Sequence, residues 1–228
     1  MRTAGAIPCL TSNVGRALAR LGFARDERVI AGLRYCVDVY RQMGCVNCLQ
    51  GIGGQLSGYC HMLTPKELLF LAEVPQDAWP EGAADLRNAC ISALREKQVF
   101  NSLPTESHDF QDLYWSTPAG KREGLRERFL AEHPTLHYGP KTGWLRFGYP
   151  LSYNSDVLEA LWALAAHEEP PRAEYEQAIA VVDSAANNER RWTLRNTFNG
   201  KMLADVEEKG SPSRWLTLRA LQVLQHFS

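Results

Sequence analysis

Residues 154–165 read NSDVLEALWALA, a polar start followed by a mainly apolar run. Val157, Leu158, Leu161, Trp162 and Leu164 recur at helical spacing, with Ser155 and Asp156 as the polar entry to the helix. Tyr175, Ile179, Val182 and Ala186 carry a return helix, so the two form a hairpin. The same signature recurs as SNVGRALARLGF (12–23), TPKELLFLAEVP (64–75) and SRWLTLRALQVL (213–224). In the first, Ser12 is the expected N-cap and Val14, Leu18, Leu21 and Phe23 the packing stripe, with a return through Val29, Leu33, Cys36, Val37 and Tyr40. In the second, Thr64, Pro65 and Glu67 read as a capping box, with Ala84 to Phe100 as the partner helix. The last runs from Leu216 to Phe227. No run of β-branched residues alternates between turns, so the expected class is all-α.

Helical hairpins that start about 50 to 60 residues apart, with one larger gap, suggest a stacked or ring-like array in a single domain spanning 1–228. In such an array the loops 43–63, 99–120, 139–155 and 187–214 share one rim. The composition is that of a globular protein, 45% hydrophobic and 22% charged. Net charge is -1, with 25 basic and 26 acidic residues, so no global field draws the chain to nucleic acid. Neither a secretory leader nor a membrane span is legible, and a cytoplasmic location is expected. In a reducing compartment the six cysteines read as thiols, metal ligands or catalytic groups before disulfides.

These repeats, with FGYPLSYNSDVLEALWAL (147–164) and the tail from Arg190 to Leu224, resemble the prenyltransferase and squalene-oxidase repeat superfamily, and more closely its short bacterial members. The resemblance is most specific from Gly143 to Leu224. It implies an α/α toroid around a cavity, and an enzyme of the cyclase or transferase class acting on an apolar, isoprenoid-like small molecule. The superfamily's Q-x-x-x-G-x-W repeat stands here as ANNERRW (186–192), with Ala186 and Arg190 in place of glutamine and glycine. The D-x-D-D motif of the cation-generating cyclases is absent, which argues against a squalene cyclase. With about four hairpins instead of six, the toroid is expected to be incomplete or open. Apolar faces at its ends then favour a homodimer.

GCVNCLQGIGGQLSGYCHM (44–62) concentrates thiols and an imidazole. Cys45 and Cys48 have the C-x-x-C spacing that lets two thiolates reach one ion, and the glycines between let the chain fold back to deliver Cys60 and His61. His108, on the rim, is an alternative fourth ligand, with Asp109 placed to orient an imidazole. Zinc is the expected metal. The competing readings are unliganded thiols or a Cys45–Cys48 redox pair. Members of the superfamily carry zinc on this scaffold, although their ligand spacing does not map onto this sequence.

Asp156 is either the cap of its helix or an acid facing the cavity. Tyr153, Tyr149, Trp144, Phe147 and Trp115 either line an aromatic cavity or belong to the core. The polar stretch NTFNGKMLADVEEKG (196–210) is either a rim site or a solvated loop. Three function classes follow: an enzyme for an apolar small molecule, a zinc-dependent thiol- or peptide-modifying enzyme, and a non-catalytic helical-repeat binding protein with structural zinc.

Overall fold

The computed structural model describes residues 7–46, 60–102, 108–133 and 139–228. Within them lie helices α1 (Pro8–Leu18), α2 (Glu27–Met43), α3 (Leu63–Glu73), α4 (Ala83–Glu96), α5 (His108–Ser116), α6 (Leu125–Glu132), α7 (Val157–Ala165), α8 (Ala173–Ser184) and α9 (Arg214–His226). The strands among these residues are two-residue pairs: Asn101–Ser102 against Gly139–Pro140, and Trp192–Thr193 against Pro212–Ser213. The protein is mainly helical. None of the described helices is long and apolar enough to cross a membrane.

Local chemistry sets the helix starts. Asp156 accepts a hydrogen bond from Glu159 N to cap α7, Ser213 Oγ accepts one from Leu216 N to cap α9, and Asp26 accepts one from Arg28 N to cap α2. Two expected caps are displaced. The helix expected to begin at Thr64 begins at Leu63, and the Thr64 hydroxyl donates back to the Cys60 carbonyl instead of capping. The helix expected to begin at Ser12 begins at Pro8, where the missing N–H of proline costs nothing.

The helices pack in two rows. α1, α3, α7 and α9 are successive neighbours in one row, and α2, α4 and α8 in the other; each hairpin contributes one helix to each row. Covered by neighbours on both sides, α3 and α7 bury nearly every residue, which explains why apolar residues fall on all their faces and why Lys66, Glu67 and Glu159 are buried with them. Beside this core, Phe110, Leu125 and Phe129 form a small separate cluster.

α1 corrects the sequence expectation. Its buried face is Cys9, Ser12, Gly15 and Ala19, while Val14, Leu18, Leu21 and Phe23 are exposed. The cause is the approach to α3: a Cβ on Gly15 would fall inside the Phe70 ring. Small residues therefore turn inward and the bulky stripe turns outward.

The rim loops meet. Ser155 Oγ donates to Met62 O at 3.2 Å, Lys141 N to Phe100 O at 2.9 Å, and Tyr149 N to Asn196 O at 3.1 Å. Gly148 N donates to Asp156 Oδ2 at 2.9 Å, and a side chain at Gly148 would strike the Asn196 carbonyl, so only glycine fits there. Trp192, the end of the ANNERRW stretch, is fully buried and donates through Nε1 to Val182 O at 2.7 Å.

Candidate functional site

A cleft of 610 Å³ opens between α1, α7 and α9 and is closed at one side by residues 149–152. Its walls carry Tyr149, Trp162, Trp215 and Leu218, and three arginines reach into it: Arg16 from α1, Arg20 from the helical turn Ala19–Phe23 that continues it, and Arg219 from α9. Residues 16 and 20 are one helical turn apart and so share a face. Glu159 of α7 is the one carboxylate in the lining among the described residues.

The arginines are stacked more than they are bonded. The Arg16 and Arg219 guanidinium carbons lie 4.5 Å and 4.3 Å from the centre of the Trp162 ring, and Arg219 also lies 5.1 Å from that of Tyr149. Arg219 makes no hydrogen bond or ion pair to another described residue. The Nε of Arg16 is buried without a hydrogen-bond partner, and its nearest carboxylate oxygen, on Glu73, is 3.8 Å away. Arg20 lies 3.4 Å from the same oxygen with its side chain 54% exposed, placing it at the mouth. Burial lowers the pKa of Arg16 and Arg219, with Glu159 the strongest charge opposing that shift. A guanidinium nevertheless stays charged. Half-buried cationic donors with no hydrogen-bond acceptor are costly unless something supplies one.

Beneath them, Lys66 and Glu159 form a pair at 3.2 Å, with side chains 1% and 4% exposed. Lys66 Nζ also donates to Asn154 O at 2.8 Å, tying α3 to the loop before α7. Asp156 is buried, and its two oxygens accept from Glu159 N and Gly148 N. Burial, with a smaller push from Glu159, raises its pKa to about 7 despite those bonds. Asp156 thus caps α7 and clamps the strand of chain that leads into Tyr149. It does not line the cleft.

Searches of family models, curated proteins and solved structures give no match to this chain.

The residues singled out from sequence are dispersed. Cys48 lies outside the described residues, as does the side chain of His108. Cys45 is half-buried and Cys60 buried, and Cys60 N donates to Val46 O at 2.7 Å, which brings the two cysteine-bearing segments side by side. His61 is buried with its Nε2 2.7 Å from Lys97 Nζ and its ring edge-on to Trp144 at 5.5 Å. An ammonium only donates, so this contact occupies the Nε2 lone pair. Among the described residues no group of three or more His, Cys, Asp or Glu side chains is arranged to hold a metal ion. Asp109 is exposed in the first turn of α5 and Tyr153 is 53% exposed. Neither lines the cleft.

Of the aromatic residues, Tyr149 lines the cleft, Trp144 and Phe147 belong to the core, and Trp115 is exposed beside Arg122. In the 196–210 stretch, Asp205 accepts from Gly200 N, and Glu207 bonds Ser213 Oγ and Arg214 N, bracing the start of α9. Cys36 and Cys90 sit deep in the core, where burial pushes both thiols up, reinforced by nearby Glu67. They are inert as nucleophiles.

Sequence reasoning passed over Arg16, Arg20, Glu159, Arg219 and Lys66. One signal was present: each of the four quoted segments carries a charged residue inside its apolar helix. A charge embedded in a face that packs is more informative than one on a solvated face.

Proposed function

We propose that the cleft between α1, α7 and α9 binds a small organic anion with an apolar body, the isoprenoid-like class that the repeat resemblance implies. The observation that carries this is the pair of half-buried guanidiniums, Arg16 and Arg219, which find no hydrogen-bond acceptor among the described residues. An anionic head supplies the acceptors, Arg20 adds charge at the mouth, and Tyr149, Trp215 and Leu218 receive the apolar part. The two rows of helices are read as an open α/α toroid, with this cleft as the remnant of its cavity. In a cyclase or transferase, arginines so placed would stabilise a departing or developing negative charge.

Calorimetric titration with geranyl diphosphate, geranate and geraniol tests the proposal. Both anions should bind and the neutral alcohol should not. Equal binding of all three, or of none, removes it.

The cysteine segment supports a second reading, favoured by the Cys60 N to Val46 O hydrogen bond that sets Cys60 beside Cys45. Zinc held by Cys45, Cys48 and Cys60 with His61 or His108 would close the rim near Trp144. Such an ion would bind His61 through Nδ1 or displace Lys97 from Nε2. Metal analysis of protein purified without chelator should then give about one equivalent of zinc.

A further inference from the structure

We infer that the ligand of the arginine cleft carries a hydrogen-bond donor, an ammonium or hydroxyl, beside its anionic group, and that Glu159 recognises that donor. This rests on the proposed anion site and narrows its ligand. Glu159 is 4% exposed yet belongs to the cleft lining, the only acid among the described residues to do so. Its Oε2 accepts from Lys66 Nζ, and no other hydrogen bond reaches its carboxylate from a described residue. An ionised carboxylate offers about four acceptor positions, so most of this one's capacity is unspent at the cleft wall.

Neutralising the arginines would be the simplest role for Glu159, and the geometry speaks against it. Glu159 is the strongest favourable charge on both Arg16 and Arg219, yet its one ion pair is with Lys66, and neither guanidinium comes within bonding distance. Donors on one wall and an acceptor on another, both unspent and held apart, match a ligand that presents an acceptor to the first and a donor to the second. Lys66 is the positioning residue: anchored on Asn154 O, it holds the carboxylate in one orientation from the side away from the solvent. Carboxylates carrying an adjacent hydroxyl or ammonium, on an aromatic or branched apolar body, have this chemistry.

Three probes of one shape separate the possibilities: 3-phenylpropionate, 3-phenyllactate and phenylalanine, titrated calorimetrically into wild type, Arg219→Met, and the double variant Lys66→Met/Glu159→Leu. The double change removes both buried charges together, which spares the fold the cost of an unpaired ion. We expect phenyllactate or phenylalanine to bind wild type at least about tenfold tighter than phenylpropionate, the size of a hydrogen bond to a charged group. Whichever of the two wins names the donor. In the double variant that preference should vanish while Arg219→Met weakens every probe. Should the double variant fail to fold, the wild-type ranking decides alone. Equal affinity of the three probes, all weakened by Arg219→Met, overturns the role of Glu159 and leaves the anion site standing. No binding, or binding indifferent to Arg219→Met, ends both.

Discussion

The cysteine segment 44–62 and the arginine cleft are opposites in construction. In the first, three thiols and an imidazole lie within seventeen positions of one another. Its chemistry is visible at a glance because the residues are neighbours in the chain. In the second, the charged groups sit at positions 16, 20, 66, 159 and 219, on four helices, and only packing brings them together. Proximity in sequence advertises a site without building one. His61, the most attractive ligand by spacing, is engaged by Lys97, a partner 36 positions away. Single charges in apolar helices are a fainter signal, yet they end with unspent donors at a cavity wall.

Four experiments strain this contrast. The largest effect should come from Lys66→Met, which leaves Glu159 buried and unpaired at the base of the cleft. It should cost about 3–5 kcal/mol of stability by denaturant unfolding, and the double Lys66→Met/Glu159→Leu should recover most of it. A single change that costs less than about 1 kcal/mol would mean that water reaches the pair.

Gly15→Ala comes next. Alanine in a helix interior ordinarily stabilises by about 1 kcal/mol relative to glycine. Here its methyl group meets Phe70, and a net loss of about 1–3 kcal/mol is expected. Stabilisation would show that α1 can shift away from α3, and with it the two arginines.

Asp156 should write its burial into the pH dependence of stability. Its carboxyl is held near pKa 7 in the folded chain against 3.8 as the ordinary value. Between those values the folded state binds the proton and the unfolded state does not. Stability from this group is therefore fully present below pH 4, falls as pH rises toward 7, and is level above. Asp156→Asn keeps a capping side chain and should flatten that slope in melting curves taken from pH 4 to 8, whereas an unchanged slope would assign it to other groups.

The cysteine segment provides the smallest expected signal in the cleft. If it holds zinc, Cys45→Ala, Cys48→Ala and Cys60→Ala should each lower metal content, while Cys9→Ala, Cys36→Ala and Cys90→Ala leave it unchanged. None of the six should alter anion binding, since no cysteine among the described residues lines the cleft. A cysteine change that weakens anion binding would merge the two regions into one site.

Much of the helical order was legible in the sequence because periodicity and capping are local. Asp156 caps the helix it was expected to start, the last helix begins at Arg214, two residues before the expected Leu216, and the all-α class follows from the same pattern. What failed was orientation. The apolar stripe of α1 points outward because Gly15 must admit Phe70, a fact that resides in another helix 55 positions later. Arg16 and Arg219 were illegible for the same reason: a cation over Trp162 is defined by three helices at once. Of the five aromatic residues read as either cavity lining or core, Tyr149 lines the cleft, Trp144 and Phe147 are core, and Tyr153 and Trp115 are exposed.

The central claim is that half-buried guanidiniums with no hydrogen-bond acceptor among the described residues await an anion, and Arg219→Met tests it most directly. The change keeps length and apolar bulk over Trp162 and Tyr149 while removing the charge and all five donors. Geranyl diphosphate titrated against tryptophan fluorescence, which reads Trp162 and Trp215 at the cleft wall, should saturate with wild type. With Arg219→Met the affinity should drop at least about tenfold, while the melting temperature holds or rises because a desolvated charge has been removed. Equal affinity for the two proteins would contradict the account.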